Sequence, residues 1–117
     1  MINYSSQTID KHDIRAVEKV LKSRWLTTGP FVKQFETEIK KKVNAKYCTT
    51  VNSATSALHL ACLALGVKKG DLVWTTSNTF IASANCALLC GAEVDLIDIE
   101  LDSYNINIHK LEEKLIR

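Results

Sequence analysis

The sequence is short of the features that would announce a specialised protein. It has one proline and four glycines, and no stretch rich in Gly, Pro or Ser, which argues against a linker or low-complexity segment. No internal repeat is present, so a solenoid or propeller is excluded. The four cysteines, Cys48, Cys62, Cys86 and Cys90, form no CxxC pair, which removes the redox and zinc-knuckle readings. Each lies in an apolar stretch and is expected to be a buried, reduced thiol. A net charge of +2 is too small to hold nucleic acid or a membrane surface. No apolar run approaches the roughly 18 residues of a spanning helix, and Met1-Ile-Asn-Tyr does not begin a leader peptide. A cytoplasmic protein with no nucleic-acid or membrane partner is the expectation. Neither the GxxxxGK[ST] phosphate loop nor the GxGxxG dinucleotide pattern occurs.

What is present is the composition of a packed domain, 46% apolar and 24% charged over 117 residues. A chain of that length supports one domain or part of one, burying roughly two thirds of its unfolded surface. Ile14, Val17, Val20 and Leu21 recur at helical spacing behind Asp10, with Asp13 in the capping-box position, so a helix is expected over residues 11–22. Thr28-Gly29-Pro30 breaks that pattern, and Pro30 can open a second helix, where its missing N–H is not needed. Phe31, Phe35, Ile39 and Val43 would form its buried stripe, and Lys40, Lys41 and Lys42 its solvated last turn.

Beyond residue 45 short apolar runs alternate with helical ones, the form of a parallel sheet covered by helices. Strands are expected over 47–51, 72–76 and 93–98, with helices over 54–65 and 79–89. Gly66 and Gly91 stand where left-handed caps belong. Residues 100–107 are polar and turn-like, and a last helix begins near Ile108 with Leu111 and Leu115 one turn apart.

The residues that could carry chemistry cluster where strands give way to helices. In Val51-Asn52-Ser53-Ala54-Thr55-Ser56-Ala57-Leu58-His59 a strand ends and small polar residues turn into a helix. A helix N-terminus has unpaired N–H groups and a positive dipole, so the Ala54 and Thr55 amides with the Thr55 hydroxyl can cradle one phosphate. Taken alone, capping by Asn52 or Ser53 is the commoner meaning of such residues. The next strand ends at Ser77-Asn78-Thr79-Phe80, and ligands gather at the C-terminal ends of parallel strands. A Phe80 ring beside a phosphate cradle would suit a flat phosphorylated cofactor, although Phe80 taken alone reads as a core aromatic. His59 reads as packed or half-exposed, His12 and His109 as solvated, Asp95 and Asp98 as strand-end caps, and Trp25 and Trp74 as packing residues.

Four segments in order, Trp25-Leu26-Thr27-Thr28-Gly29-Pro30, Asn52 to His59, Thr79-Phe80-Ile81-Ala82-Ser83-Ala84-Asn85 and Asp95-Leu96-Ile97-Asp98, resemble the DegT-type family of sugar-nucleotide aminotransferases. The resemblance runs from about Ile2 to Arg117. It implies an α/β chain forming the N-terminal part of the large domain of a fold-type-I enzyme, a three-layer architecture on a mostly parallel sheet. Pyridoxal phosphate at a homodimer interface is implied as well. By the family pattern Ala54 and Thr55 would hold the cofactor phosphate, Phe80 would stack on the pyridine ring, and Tyr4, Thr28 and Gly29 would lie near the sugar nucleotide. Most members carry glycine at the position of Ala54, a change that is harmless only if positive φ is not needed there. The wording from Asn52 to Leu58 is closest to the pseudaminic-acid branch, which aminates a UDP-linked keto sugar.

The implied reaction moves an amino group from an amino-acid donor, glutamate by resemblance, to a nucleotide-linked keto sugar. It needs a Schiff-base lysine and an acid at the pyridine nitrogen, both downstream in the family, so these 117 residues alone are expected to be inactive. Two other readings stay open: a sugar dehydratase using the same cofactor, and a non-catalytic fragment that binds a phosphate-bearing ligand. The resemblance also implies that strands 72–76 and 93–98 are neighbours, while 47–51 lies apart and must find its partner elsewhere.

Overall fold

The computed structural model describes residues 5–116, so Tyr4 lies outside the described residues. Two compact units divide at Thr50–Val51. The first holds α1 (Lys11–Leu21) and α2 (Pro30–Val43). The second holds α3 (Ala54–Ala64), β1 (Leu72–Thr76), α4 (Ala82–Leu89), β2 (Glu93–Ile97) and α5 (Ile108–Leu115).

In the first unit, Asp10 accepts from the His12 and Asp13 amides at 2.6 and 3.1 Å, and Asp13 returns the bond to the Asp10 amide at 2.9 Å. Both halves of the expected capping box are therefore made. Pro30 is the first residue of α2, and Lys40, Lys41 and Lys42 fill its last turn, where cations meet the negative end of the dipole. Asn44 closes the helix in the left-handed conformation at φ 52. The Lys19 ammonium lies 5.7 Å from the Phe31 ring, beside a groove of about 510 Å³ lined by Val17, Val20, Leu21 and Phe31. The stripe of α2 is less covered than its periodicity suggests: Phe35 is 55% and Val43 62% exposed. An amphipathic face marks where cover is wanted, and the described residues of the first unit leave this one largely open.

The expected strand over 47–51 does not form. Both the amide and the hydroxyl of Thr50 donate instead to Glu36 Oε1 on α2, each at 2.9 Å. A backbone N–H held by a carboxylate is not available to a ladder. These two bonds, with Lys33 and Lys40 nearby, hold the Glu36 carboxyl below its ordinary pKa.

In the second unit β1 and β2 pair in parallel, from Leu72 with Glu93 through Thr76 with Ile97. The neighbour relation implied by the resemblance therefore holds. Helix α4 makes the crossover, and its Ala82, Cys86 and Ala87 join Ala92 and Ile97 as the buried core. Ile97 is the only large side chain fully enclosed among the described residues. Both α3 and α4 end as expected, with Gly66 and Gly91 at φ 81 and 79. Val67 N–H reaches back to Cys62 O at 3.0 Å and Ala92 N–H to Ala87 O at 3.1 Å, the outer bonds of Schellman caps. Helix α4 starts at Ala82, three residues later than the sequence suggests. Ser83 N–H bonds Phe80 O at 2.9 Å and Ala84 N–H bonds Ile81 O at 3.1 Å, so the preceding residues form a tighter turn. Residues 100–105 are a turn closed by an Ile99–Ile106 bridge.

All four cysteines are free, as expected, but only Cys86 is fully buried; Cys48, Cys62 and Cys90 are half-buried. Burial, with Cys86 and Cys90 as neighbours, pushes the Cys62 thiol above its ordinary pKa, so it packs as a neutral group.

Lys114 on α5 donates to the Asp95 carboxylate and to Leu96 O, the latter at 2.9 Å, tying α5 to β2. The lysine bond, then the Leu96 amide at 2.8 Å, holds the Asp95 carboxyl below its usual range. Trp74 sits opposite Asp95 in the register, and its buried indole N–H meets no partner at hydrogen-bonding geometry. Its dipole favours the carboxylate only weakly. A depressed acid contributes stability that is present above its unfolded pKa, about 3.9, and lost as pH falls through the lower folded value. The stability gap between the protein and Asp95→Asn is therefore expected to close as pH is lowered through that window, as read by denaturant unfolding at successive pH values. A gap that stays constant down to about pH 2 would contradict the tie.

Gly29, the N-cap of α2, is required for another reason: a Cβ there would stand 2.6 Å from Trp25 Cβ. Gly29→Ala is expected to cost about 1–3 kcal/mol by overpacking, measured as a lowered unfolding midpoint. An unchanged midpoint would mean that Trp25 moves freely.

Candidate functional site

Helix α3 begins on the sequence that suggested a cradle. Ser53 is its N-cap, with extended backbone at φ −159 and ψ 157, and its hydroxyl accepts from the Ser56 amide at 3.2 Å. The Ala57 amide bonds Ser53 O at 3.1 Å, which starts the helical ladder. Among the described residues no acceptor takes the Ala54 or Thr55 amide, and the Thr55 hydroxyl makes no hydrogen bond. Three donors thus stand uncommitted and exposed at the positive end of a helix of 11 residues. Capping by Ser53 and an anion cradle turn out not to be alternatives, because the cap uses the Ser56 amide and leaves the two before it open.

Ala54 is the first residue of α3 and is not among the residues at positive φ, which are Thr28, Asn44 and Tyr104 outside glycine. The backbone at this position therefore has no need of glycine, and a methyl group costs the cradle nothing.

Phe80 follows β1 in the same unit and is 74% exposed, which removes its reading as a core aromatic. Beside it the Thr79 and Ser83 hydroxyls share a hydrogen bond of 3.1 Å across the turn that opens α4. Helix α3 packs on α4, so the two helix openings belong to one packed body. No hydrogen bond joins Phe80 to the cradle. Thr28 and Gly29 lie in the first unit. Thr28 has φ 49, an uncommon backbone state for a β-branched residue, and leads directly into the Gly29 cap.

The remaining polar residues have other work. His59 is half-buried on α3, and His12 and His109 are exposed. Asp95 holds Lys114, and Asp98 accepts from the Ile99 amide at 3.0 Å, so these two carboxylates are structural. Among the described residues no group of three or more His, Cys, Asp or Glu is arranged to hold a metal. The Glu36–Thr50 tie was not visible in the sequence, since a spacing of 14 residues carries no local signal. The Ser56 hydroxyl, bonded to Asn52 Oδ1 at 2.8 Å, was also missed, although the interval of four across a helix start was a usable hint.

The residues present suit a pyridoxal phosphate group by the chemistry of the donor set: two free amides and a hydroxyl at a helix N-terminus for the phosphate, and an exposed aromatic face after the adjacent strand for the ring.

Residues 7–117 match the model of the DegT/DnrJ/EryC1/StrS aminotransferase family. Two proteins named UDP-4-amino-4,6-dideoxy-N-acetyl-beta-L-altrosamine transaminase, from Campylobacter jejuni strains 81-176 and NCTC 11168, are 49% and 47% identical over the whole of this chain. The chain spans 31% of the length of each. A Streptococcus pneumoniae protein described as a sugar aminotransferase, solved in its PLP form, is 32% identical with a TM-score of 0.86 over 96% of this chain and 29% of its own. The E. coli GDP-4-keto-6-deoxy-D-mannose-3-dehydratase with bound hydrated PLP is 33% identical with a TM-score of 0.86 over 97% of this chain and 31% of its own. The α/β order of β1, α4 and β2 is thus a portion of the fold-type-I architecture, and the chain belongs to the DegT/DnrJ/EryC1/StrS aminotransferase family.

Proposed function

We propose that these residues form the N-terminal, cofactor-phosphate-binding part of a pyridoxal-phosphate-dependent aminotransferase. The full-length enzyme transfers an amino group from an amino-acid donor, glutamate, to the keto group of a nucleotide-linked sugar in glycan or surface-polysaccharide synthesis. The observation that carries this reading is the open α3 N-terminus, where the Ala54 and Thr55 amides and the Thr55 hydroxyl are free, in a chain of this family. A UDP-linked sugar is favoured because the Campylobacter relatives are named for one.

In this reading the phosphate rests on Ala54, Thr55 and the helix dipole, which fixes one end of the cofactor without a charged side chain. Phe80 lies against the pyridine ring and holds its plane. Tyr4, Thr28 and Gly29 line the sugar-nucleotide side. Pyridoxal phosphate, when bound, supplies an electron sink for the donor's Cα–H bond. The catalytic lysine is assigned to no residue of this chain, and residues 1–117 alone are inactive. The enzyme is a homo-oligomer and works in the cytoplasm. Free thiols favour that compartment, and no helix among the described residues is long and apolar enough to cross a membrane.

The dehydratase reading is favoured by one observation, the likeness to the E. coli enzyme at 33% identity, against 49% to a transaminase. Incubating the full-length enzyme with glutamate and a UDP-linked 4-keto sugar distinguishes the two. Transamination yields 2-oxoglutarate and amino sugar in equal amounts, whereas a deoxy sugar without amino transfer would establish dehydration.

Phe80→Ala in that enzyme is expected to weaken cofactor binding about two- to tenfold, since such aromatic contacts are worth roughly 0.5–1.5 kcal/mol. Ala54→Gly is expected to leave it within about twofold, because the position donates only its amide in helical backbone. Equilibrium titration followed by cofactor absorbance reads both. Unchanged affinity in Phe80→Ala, or a large gain in Ala54→Gly, would count against these roles.

A further inference from the structure

Trp74 on β1 and Asp95 on β2 are partners in the parallel register, so their side chains stand side by side on one face of the ladder. The Trp74 indole N–H is buried and bonds to nothing. Its register partner is committed elsewhere: Asp95 Oδ1 accepts the Leu96 amide at 2.8 Å, and Oδ2 accepts from Lys114 Nζ. Lys114 Nζ also donates to Leu96 O at 2.9 Å, and these two bonds tie α5 to β2. The Lys114 bond holds the Asp95 carboxyl below its usual range and Trp74 adds weakly in the same direction, so the indole lies close to the carboxylate without bonding it.

The two claims on Asp95 differ in kind. Its pair with Lys114 is partly solvated, the two side chains being 48% and 30% exposed, and such pairs contribute little and weaken with salt. A buried donor without an acceptor has given up its bond to water for nothing, which favours any acceptor that turns toward it. In the observed arrangement neither carboxylate oxygen serves both donors. We propose that Asp95 is a two-position latch: its carboxylate either holds Lys114 and docks α5 on β2, or turns across the ladder to accept the Trp74 indole N–H and lets α5 loosen. In the second position α5 keeps only the neutral-acceptor bond to Leu96 O. Each position satisfies one donor at the other's expense, so the state of α5 is reported to β1 through a single side chain. The latch is independent of which reaction the full-length enzyme performs.

The full-length enzyme, with its tryptophans labelled with heavy nitrogen, tests this by magnetic resonance, and Trp74→Phe identifies the Trp74 indole signal. Hydrogen exchange over Ile108–Leu115 reads the docking of α5 in the same samples. Lys114→Met removes the charge and keeps the length of the side chain. It is expected to move the Trp74 N–H proton downfield, as a new bond to a carboxylate does, and to speed exchange in α5. Lys114→Arg, which keeps a cation, stays at the wild-type position in both readouts. Adding Asp95→Leu to Lys114→Met returns the indole signal upfield while α5 stays loose. Raising salt on the wild-type enzyme moves the signal in the same direction as Lys114→Met, and moves it in Asp95→Leu not at all; this decides the matter if Lys114→Met folds poorly. A Trp74 signal unchanged in folded Lys114→Met, a downfield shift that survives Asp95→Leu, or an engaged indole with α5 still fully protected overturns the proposal.

Discussion

The parallel ladder between Leu72–Thr76 and Glu93–Ile97 sets the direction of everything in the second unit. Parallel strands cannot be joined by a tight turn, so the chain must return along α4, which opens beyond the C-terminal end of β1. That edge collects strand C-termini and helix N-termini, where backbone N–H groups are unpaired and the field is positive. The ladder also determines what Ile97 encloses, since the buried residues of α4 pack over it. Where α4 begins is therefore a consequence of strand direction before any side chain is considered.

Local bonds carry much of the order elsewhere, because the enclosed core is small. Only Ala82, Cys86, Ala87, Ala92 and Ile97 are fully buried hydrophobics among the described residues, while Ile14, Val17, Leu21, Phe35 and Val43 stand more than half exposed in the first unit. The capping box at Asp10, the left-handed Asn44 and the Glu36 clamp on Thr50 fix helix ends and chain direction by hydrogen bonds that need no deep burial. The apolar stripes of α1 and α2 are amphipathic faces that stand largely uncovered among the described residues.

What could be read from the sequence follows the same division. The ends of α1, the start of α2, the glycine stops of α3 and α4 and the β1–β2 pair depend on residues within a few positions of one another, so pattern and capping rules reached them. The segment 47–51 misled because its composition is that of a strand, whereas a strand exists only with a neighbour. Glu36, 14 residues away, takes the Thr50 amide instead. The same limit applied to burial: periodicity identified the Phe31 to Val43 stripe but not whether anything lies against it. At the cradle the donors were legible from the helix start, and the exposure of Phe80 was not, because an aromatic after a strand has the same sequence signature in a core as in a site.

Anchoring a cofactor and choosing a reaction place different demands on a protein, and the open donors at the α3 N-terminus suit the first. A phosphate is held by amide dipoles whatever happens at the other end of the molecule, so the α3 N-terminus suits a transaminase and a dehydratase equally. The structural likeness to one of each, both at TM-score 0.86, is what that indifference predicts. Preference for amino transfer must come from residues that meet the substrate and move its protons. The identities of 49% and 47% to the Campylobacter proteins and 33% to the E. coli dehydratase are whole-segment measures, to which the scaffold contributes more than any single residue that meets a substrate.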